Sequence, residues 1–232
     1  MELLNRILSI LFPKRCSYCG IVVNADEDVC NECKENLPRV LPPFCDFCGA
    51  NKKKCNCNNH SKSYSAVIAP FYYNGSVKNA IKRMKFSDRP HIAKTLSQEM
   101  TKCIDERYSE IDFDIITCVP MSKRERNNRG YNQSELLAKG LKVKGNPTID
   151  TELLVKLYDV PPQHSLDATT RQGNVLGIFY VQDGKDIKGK TVLLCDDVKT
   201  TGATANECAS VLLSYGAKDV FLVCAAISDK DR

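Results

Sequence analysis

A run of acidic, threonine and glycine residues near the end of the chain has the composition of a site for a phosphorylated sugar. Asp196 and Asp197 follow the apolar segment 192–195, and a turn rich in threonine and glycine comes next. Amides at a helix N-terminus, threonine hydroxyls and a glycine that lets the backbone approach closely can together bind phosphate. The carboxylates can accept hydrogen bonds from ribose hydroxyls. The predicted phosphate-binding residues are Lys199, Thr200, Thr201, Gly202, Ala203 and Thr204.

Other phosphate-binding motifs do not occur. The sequence contains neither G-x-x-x-x-G-K-[ST] nor G-x-G-x-x-G, so the hypotheses of a P-loop ATPase and of a dinucleotide-binding fold have little support. The simpler alternative for residues 196–204 is an acidic pair at a strand end, followed by an ordinary helix cap.

Eight of the thirteen cysteines lie before residue 58, in four close pairs. Two such pairs place four thiolates around one tetrahedral ion at about 2.3 Å, so four pairs predict two structural zinc sites. A redox dithiol or a disulfide is the alternative. A closed four-cysteine site has no open position, which favours a role in folding or partner contact over catalysis. The predicted ligands are Cys16, Cys19, Cys30, Cys33, Cys45, Cys48, Cys55 and Cys57.

The pairs can be grouped in two ways. Sequential grouping puts the first two pairs on one ion and the last two on the other, and the short loops favour it. Interleaved grouping of alternate pairs stays open, because spacing alone does not decide. The other five cysteines stand in apolar or helical segments, where a free thiol behaves as a small buried hydrophobe, and we assign them no function.

The hydrophobic pattern after residue 60 predicts the elements that position these residues. We divide the chain into a cysteine-rich module, 1–60, and an α/β domain, 61–232. Alternating strands and helices indicate a parallel sheet flanked by helices, whose ligands bind at the carboxyl ends of strands. The predicted strands are 65–73, 115–119, 191–195 and 220–226, and the predicted helices are 77–86, 92–106, 134–141 and 203–215.

Composition narrows the class of protein. The 232 residues have the aliphatic and mixed-charge content of an ordinary globular protein. The net charge is +5, with +8 over residues 1–149 and −3 over 150–232, so an anion-binding face is expected on the first part. The apolar segment 3–12 is too short to span a membrane. We interpret it as an amphipathic helix, with a weak signal peptide as the alternative, and expect a cytoplasmic protein without a membrane span.

Two further segments carry a resemblance to a known family. They are V-P-M-S-K-R at 119–124 with R-G-Y-N-Q at 129–133, and the set Gln163, Leu166, Arg171, Asn174 and Phe179. With the cysteine module and the acidic-threonine run, which resembles the phosphoribosyl pyrophosphate loop of type I phosphoribosyltransferases, they resemble the ComF family of competence-associated phosphoribosyltransferase-like proteins. The resemblance covers nearly the whole chain and implies a type I phosphoribosyltransferase-like sheet with an N-terminal double zinc ribbon.

The resemblance also implies roles for individual residues. Pro120, Lys123 and Arg124 would take the pyrophosphate, with Asp196, Asp197 and Arg171 as the catalytic set. Segment 161–174 would be a mobile flap. Arg129, Asn132, Gln133 and Gln163 would complete the cleft. Val160 and His164 stand where the family commonly has threonine, and Lys199 where an aromatic is frequent. For the basic residues of 123–129, a solvated surface is the alternative.

Three functions follow as hypotheses. The first is transfer of a ribosyl 5-phosphate group from phosphoribosyl pyrophosphate with Mg²⁺, to an acceptor that the sequence does not specify. The second is binding of single-stranded DNA and competence-machinery proteins, through the basic segments 52–54, 78–85 and 123–129 and nearby aromatics. The third is a degenerate transferase that senses the ligand without turnover.

Overall fold

The computed structural model describes residues 13–55, 57, 62–87, 89–157 and 178–228. Its centre is a six-stranded parallel sheet in the order β1-β8-β7-β3-β4, in which β2 also pairs with β8. Strands β5 and β6 form a separate antiparallel pair. The strands are β1 (Ala66–Ile68), β2 (Phe71–Tyr72), β3 (Ile115–Cys118), β4 (Thr148–Ile149), β5 (Leu154–Lys156), β6 (Phe179–Val181), β7 (Thr191–Lys199) and β8 (Asp219–Ile227).

The predicted parallel sheet with flanking helices is therefore confirmed. The helices in the described residues are α1 (Asn31–Asn36), α2 (Gly75–Phe86), α3 (Ile92–Arg107), α4 (Lys123–Arg129), α5 (Gln133–Gly140) and α6 (Ala203–Ser214), with a 3₁₀ turn at Lys52–Lys54. Three details of the prediction were wrong. The segment 65–73, predicted as one strand, contains the two short strands β1 and β2. Strand β7 continues past Cys195 to Lys199, so both aspartates lie within the strand. The segment after Pro120, predicted as a loop, contains α4.

Helix α4 has a local cause that the sequence displays. Ser122 accepts a hydrogen bond from the Glu125 amide at 3.1 Å, and the Glu125 carboxylate accepts one from the Ser122 amide at 3.1 Å. This reciprocal capping box satisfies two amides at the helix start. Gly130 ends the helix with φ +84, a left-handed conformation that glycine adopts without strain. The pattern S-x-x-E followed by glycine was the signal for α4.

The two faces of the sheet are buried by different layers. Along β7, Leu193 and Cys195 belong to the cluster that packs against α2, α3 and α5, while Val192 and Leu194 belong to the cluster with α6 and the β5–β6 hairpin. Alternate side chains of a strand point to opposite faces. Strand β7 is buried on both faces, so packing holds its carboxyl end in a fixed position.

The cysteine module packs on this domain. Tyr18 contacts Phe71 edge to face, with ring centroids 5.8 Å apart, and Ser17 shares a 2.9 Å hydrogen bond with Thr95. The module also covers the outer edge of β1, where the Val67 amide donates to the Asp46 carbonyl at 2.9 Å. Covering an edge strand prevents pairing with other chains. The boundary at residue 60 stays a prediction, because the two parts share one hydrophobic cluster.

In the parts of the chain that the structure describes, no helix combines the length and apolar character needed to cross a membrane. The amphipathic helix predicted at 3–12 lies outside those residues.

Candidate functional site

The turns that follow β3 and β7 lie at the carboxyl edge of the sheet. Strands β3 and β7 are adjacent and parallel, with Cys118 opposite Cys195. The Val119 amide continues the ladder by donating to the Cys195 carbonyl at 2.9 Å. The turn that begins at Pro120 therefore starts beside Asp196. The predicted pyrophosphate turn, after β3, and the predicted phosphate turn, after β7, therefore lie at the same edge of the sheet, where parallel sheets bind ligands.

The two aspartates have different partners. The Asp196 carboxylate accepts hydrogen bonds from the Ser134 hydroxyl at 2.9 Å and from the Asp197 amide at 2.8 Å. Asp197 forms an ion pair with the Lys85 ammonium at 2.8 Å, and the two side chains are only 11% and 21% exposed. The acidic pair is therefore held in a fixed arrangement by α2 on one side and α5 on the other.

Lys85 and Ser134 were missing from the predicted site. Lys85 had been placed only in the basic segment 78–85, as part of the predicted DNA-binding surface. Its spacing was the available signal, because it follows the buried Ile81 by four residues and so falls on the core-facing stripe of α2. A lysine on that stripe needs a buried partner. Ser134 is the second residue of α5, directly after the R-G-Y-N-Q segment, and no pattern in the sequence marked its hydroxyl.

The environment of Asp196 disfavours its ionised form. Burial and then the neighbouring Asp197 charge raise the pKa of Asp196 to about 7, against the lowering effects of the Asp197 amide, Ser134 and Lys85. Loss of solvation and a like charge both disfavour the ionised form. Near neutral pH the Asp196 carboxyl group exchanges a proton with solvent, so it can donate or accept a hydrogen bond to a hydroxyl group.

The threonine-rich turn has the form of an anion cradle. Gly202 is the N-cap of α6 and has no side chain to cap the helix, while the Thr201 hydroxyl accepts a hydrogen bond from the Ala203 amide at 3.3 Å. Its φ is +81, and a Cβ at this position would lie 3.0 Å from the Lys199 side chain and 3.2 Å from the Tyr64 hydroxyl, so the position favours glycine. Thr200, Thr201, Ala203 and Thr204 are exposed around it, and the amides at a helix N-terminus favour an anion.

Lys199 does not face this cradle. It was predicted as a phosphate ligand, but it is 5% exposed and its ammonium group donates to the Cys48 carbonyl at 3.4 Å. Because strand β7 extends through Lys199 and its alternate residues point to opposite faces, the Lys199 side chain points into the protein and lies close to Gly202. The structure thus corrects the prediction: Lys199 packs against the buried side of the turn.

The residues predicted around the pyrophosphate turn divide into two groups. Pro120 is half-buried, and Lys123 and Arg124 are exposed in the first turn of α4. Asn132 and Gln133 are buried, at 4% and 1% exposure, so their side chains serve the protein itself.

The buried pair shapes the turn, whereas the prediction had both residues lining the ligand cleft. Asn132 caps α5 by accepting from the Ser134 amide at 3.0 Å, and it donates to the Val119 carbonyl at 3.0 Å. Gln133 accepts from the Arg129 guanidinium at 2.6 Å.

A pocket of about 460 Å³ opens between the end of α2 and helix α4. Arg129 lies over the Phe86 ring, 5.3 Å from its centroid. Phe86 is 73% exposed, a high value for a phenylalanine. Lys85 lines the same pocket, so the pocket adjoins Asp197. The lining residues are Lys85, Phe86, Glu125, Asn128 and Arg129.

The predicted flap falls outside the described residues. Segment 161–174, with Gln163, His164 and Arg171, lies there, as does Val160. Phe179 is described and belongs to β6, which pairs with β5.

The eight paired cysteines form two clusters in sequential order, and the interleaved grouping was wrong. Within each cluster the four sulfur atoms lie within 4.8 Å of one another. The first cluster is Cys16, Cys19, Cys30 and Cys33, and the second is Cys45, Cys48, Cys55 and Cys57. Four thiolates at this spacing suit a tetrahedral zinc ion, and such a closed site is structural.

The two clusters begin with matching turns. The amides of Cys16 and Cys45 each donate to the carbonyl five residues later, at 2.8 Å in both cases. Gly20 and Gly49 donate back to those cysteines at 3.0 and 2.8 Å, with φ of +86 and +80. This repeat is what a double zinc ribbon requires.

Known family models match both ends of the chain. A model described as "Double zinc ribbon domain" matches residues 7–63, and one described as "Phosphoribosyl transferase domain" matches residues 150–232. Among solved structures, a purine phosphoribosyltransferase from Pyrococcus horikoshii is 16% identical and covers 57% of this chain and 74% of its own, with a TM-score of 0.34. That likeness is too weak to carry an argument.

Relatives that match most of the chain carry competence and DNA-utilization names. "DNA utilization protein YhgH" of Escherichia coli K12 is 29% identical, covering 90% of this chain and 88% of the relative. "Competence protein ComFC" of Streptococcus pneumoniae is 32% identical over 206 residues, covering 85% of this chain and 86% of the relative. The chain therefore belongs to the ComF family, whose members join a double zinc ribbon to a phosphoribosyltransferase-type domain.

Proposed function

We propose that this chain binds phosphoribosyl pyrophosphate at the carboxyl edge of its sheet and acts in DNA uptake or utilization. The observation that carries the proposal is the pair Asp196 and Asp197 at the end of β7, shortly before the exposed N-terminus of α6. Carboxylates for a polyol and helix N-terminal amides for a phosphate thus lie on one strand–turn–helix unit. The biological setting comes from the names of the relatives.

Each part of the ligand has a matching part of the site. The 5-phosphate would lie on the turn formed by residues 200–204, where backbone amides and threonine hydroxyls donate to its oxygens. The ribose hydroxyls would donate to Asp196 and Asp197. The pyrophosphate would lie near Lys123 and Arg124, whose charges suit a polyanion. A Mg²⁺ ion bound to the pyrophosphate oxygens would neutralise charge on the leaving group.

Transfer would break the bond between the sugar C1 and a pyrophosphate oxygen, and form a bond from C1 to the acceptor, which loses a proton. The protein would hold the leaving group by electrostatic contacts formed before the reaction. With its pKa at about 7, Asp196 can take up or release a proton beside the sugar. A protein that binds the ligand and releases no pyrophosphate with any acceptor would be a sensor.

Calorimetric titration tests the binding proposal. Phosphoribosyl pyrophosphate with Mg²⁺ is titrated into the wild type, the Asp196→Ala, Asp197→Ala double variant, and Asp183→Ala as a control in an exposed turn. We expect saturable binding by the wild type and the control, and loss of binding in the double variant. Zinc content is measured on all three. Absence of binding by zinc-replete wild type would refute the proposal.

A second candidate function, binding of single-stranded DNA, is supported by a basic cleft that sequence reasoning missed. The cleft, about 620 Å³, lies between the first zinc cluster and the start of α3. Of the basic residues that line the cleft, Lys14 is paired with Asp28 at 3.0 Å. The others are Arg15, Arg89 and Lys94, and His91 lines the cleft beside them.

The basic helix predicted for this role is less suited to it. Lys85 is paired with Asp197, and Arg83 donates to the Ser17 carbonyl at 2.8 Å. The cleft, in contrast, presents Arg89 and Lys94 as exposed side chains. Burial and then the charges of Arg89 and Arg83 lower the pKa of His91, so this imidazole is neutral near pH 7 and the charge of the cleft comes from arginine and lysine. Phosphodiester groups are the natural ligands of such a surface.

Charge reversal tests this candidate. We expect Arg89→Glu, Lys94→Glu to weaken oligonucleotide binding at low salt and to reduce the slope of log affinity against log salt by roughly 1 to 2. Lys142→Glu, Lys144→Glu is the matched control, because both lysines are exposed and stand after α5. Equal losses in the two double variants, or affinity that does not change with salt, would eliminate the cleft as the DNA site.

A further inference from the structure

The second zinc cluster and the phosphate turn contact the same two side chains. Lys199 donates to the carbonyl of Cys48, a predicted zinc ligand, at 3.4 Å. Tyr64 donates to the carbonyl of Phe47, the preceding residue, at 3.4 Å. Both carbonyls belong to the turn that carries the first cysteine pair of this cluster. The two side chains form a bridge between that turn and Gly202.

The bridge touches Gly202 closely. A Cβ on Gly202 would lie 3.0 Å from Cε of Lys199 and 3.2 Å from the Tyr64 hydroxyl. Lys199 and Tyr64 are 5% and 3% exposed, so both are packed on all sides. Because protein interiors are close-packed, a shift of either side chain displaces the glycine that begins α6.

The charge of Lys199 matches its position. A buried ammonium group is costly unless opposite charge or hydrogen bonds compensate it. A zinc ion bound by four thiolates carries a net charge of about −2, as four negative ligands and one divalent ion give. Lys199 therefore lies where the cluster places negative charge in the interior, and it links that charge to the strand that ends in the phosphate turn.

The cysteine turn is itself fixed to the domain. Gly49 lies against β1, where an added Cβ would be 3.3 Å from the Val67 carbonyl. The Asn51 amide donates to the Tyr72 hydroxyl at 3.0 Å. The first zinc cluster contacts other elements: Arg83 of α2 donates to the Ser17 carbonyl in its turn. Of the two clusters, the second is the one that these contacts join to Gly202.

We propose that the second zinc cluster positions the phosphate turn through Lys199 and Tyr64, so that zinc in this cluster sets the affinity for the phosphorylated sugar. Neither side chain touches the ligand in this arrangement, and both act as positioning residues. The inference rests on the proposed function for its effect on affinity. The mechanical link between cluster and turn does not depend on the identity of the ligand.

The experiment compares Lys199→Met and Tyr64→Phe with the wild type. Arg83→Met is the control, because Arg83 makes the equivalent contact with the first cluster. Amide hydrogen exchange of residues 200–205 is measured without ligand, together with zinc content and the affinity for phosphoribosyl pyrophosphate with Mg²⁺. We expect both bridge variants to retain zinc, to exchange about tenfold faster in the turn, and to bind about tenfold more weakly, as loss of one hydrogen bond predicts. Arg83→Met should leave exchange in the turn unchanged.

Zinc removal from each cluster gives a second comparison. Cys55→Ser acts on the second cluster and Cys19→Ser on the first. We expect faster exchange in 200–205 for Cys55→Ser alone. Unchanged exchange in Lys199→Met and Tyr64→Phe would overturn the proposal, as would equal effects of Arg83→Met. If the variants show the expected exchange differences and the wild type shows no binding, the proposed ligand is wrong and the link between cluster and turn stands.

Discussion

The raised pKa of Asp196 predicts that ionisation of this carboxyl group destabilises the fold. Substitution by asparagine keeps the size of the side chain and an oxygen that can accept from the Ser134 hydroxyl, and it removes the charge. The neutral amide would also no longer repel the Asp197 carboxylate. We therefore expect Asp196→Asn to be more stable than the wild type at neutral pH and to bind the phosphorylated sugar more weakly.

The sign and size of the effect follow from proton linkage. The pKa of Asp196 rises from its ordinary value of 3.8 to about 7 in the folded protein, mainly through burial. The folded state therefore holds more protons than the unfolded state between these values, and stability falls as pH rises through this window. A change of this size corresponds to a loss of roughly 4 kcal/mol above pH 7, as an upper limit for a group next to a second carboxylate.

Urea unfolding of the wild type and Asp196→Asn from pH 4 to pH 8 measures this loss. Titrating groups outside the pair of Asp196 and Asp197 cancel in the difference between the two proteins, so the stability advantage of the variant should grow by about 2 to 4 kcal/mol over that range. Ser134→Ala removes a hydrogen bond that lowers the pKa of Asp196, and it should move the transition to higher pH. A stability difference that is constant with pH would refute the assignment of a raised pKa to Asp196.

Three further substitutions test individual contacts. Lys85→Met should destabilise the protein by about 2 to 3 kcal/mol in urea unfolding, because it leaves Asp197 charged and unpaired, whereas Lys82→Met on the exposed face should change stability by less than about 0.5 kcal/mol. Adding Asp197→Asn to Lys85→Met should recover most of the loss, and the difference measures the coupling energy between the two side chains. Gly140→Ala should cost about 1 to 3 kcal/mol in the same assay, because the added carbon would lie 2.7 Å from Cβ of Ser97. Gly202→Ala should retain both zinc ions and bind the sugar phosphate more weakly, as measured by calorimetry. Unchanged affinity would show that binding does not need a glycine at this position.

The local signals of the sequence were sufficient for the zinc ligands and for most of the longer elements, but they missed α4 and the short strands β4, β5 and β6. The cysteine pairs identified all eight residues of the two clusters, because each pair is a turn whose geometry is set within about four residues. The strand before Asp196 and the helix after Gly202 were also predicted correctly in kind, since apolar runs and helix starts are local patterns.

The partners of the site residues were not predictable in the same way. Lys85 and Asp197 are 112 residues apart, and Lys199 and Cys48 are 151 apart. No local pattern states which buried charge meets which partner across such distances. For the same reason Lys199, Asn132 and Gln133 were predicted to contact ligand: each lies next to the site in sequence, and only the packing shows that their side chains point into the protein.

The order of the strands affects how the chain can fold while it is being made. Strand β1 pairs with β8, and β7 and β8, which hold the sheet together, are the last two strands of the described chain. About 150 residues separate β1 from its partner, which corresponds to roughly 8 to 30 s of synthesis at ordinary elongation rates. The cysteine turns that cover the outer edge of β1 are synthesised before it. A ribbon that binds zinc early would therefore cover the outer edge of β1 while the rest of the sheet is still being synthesised, before the ligand site has formed.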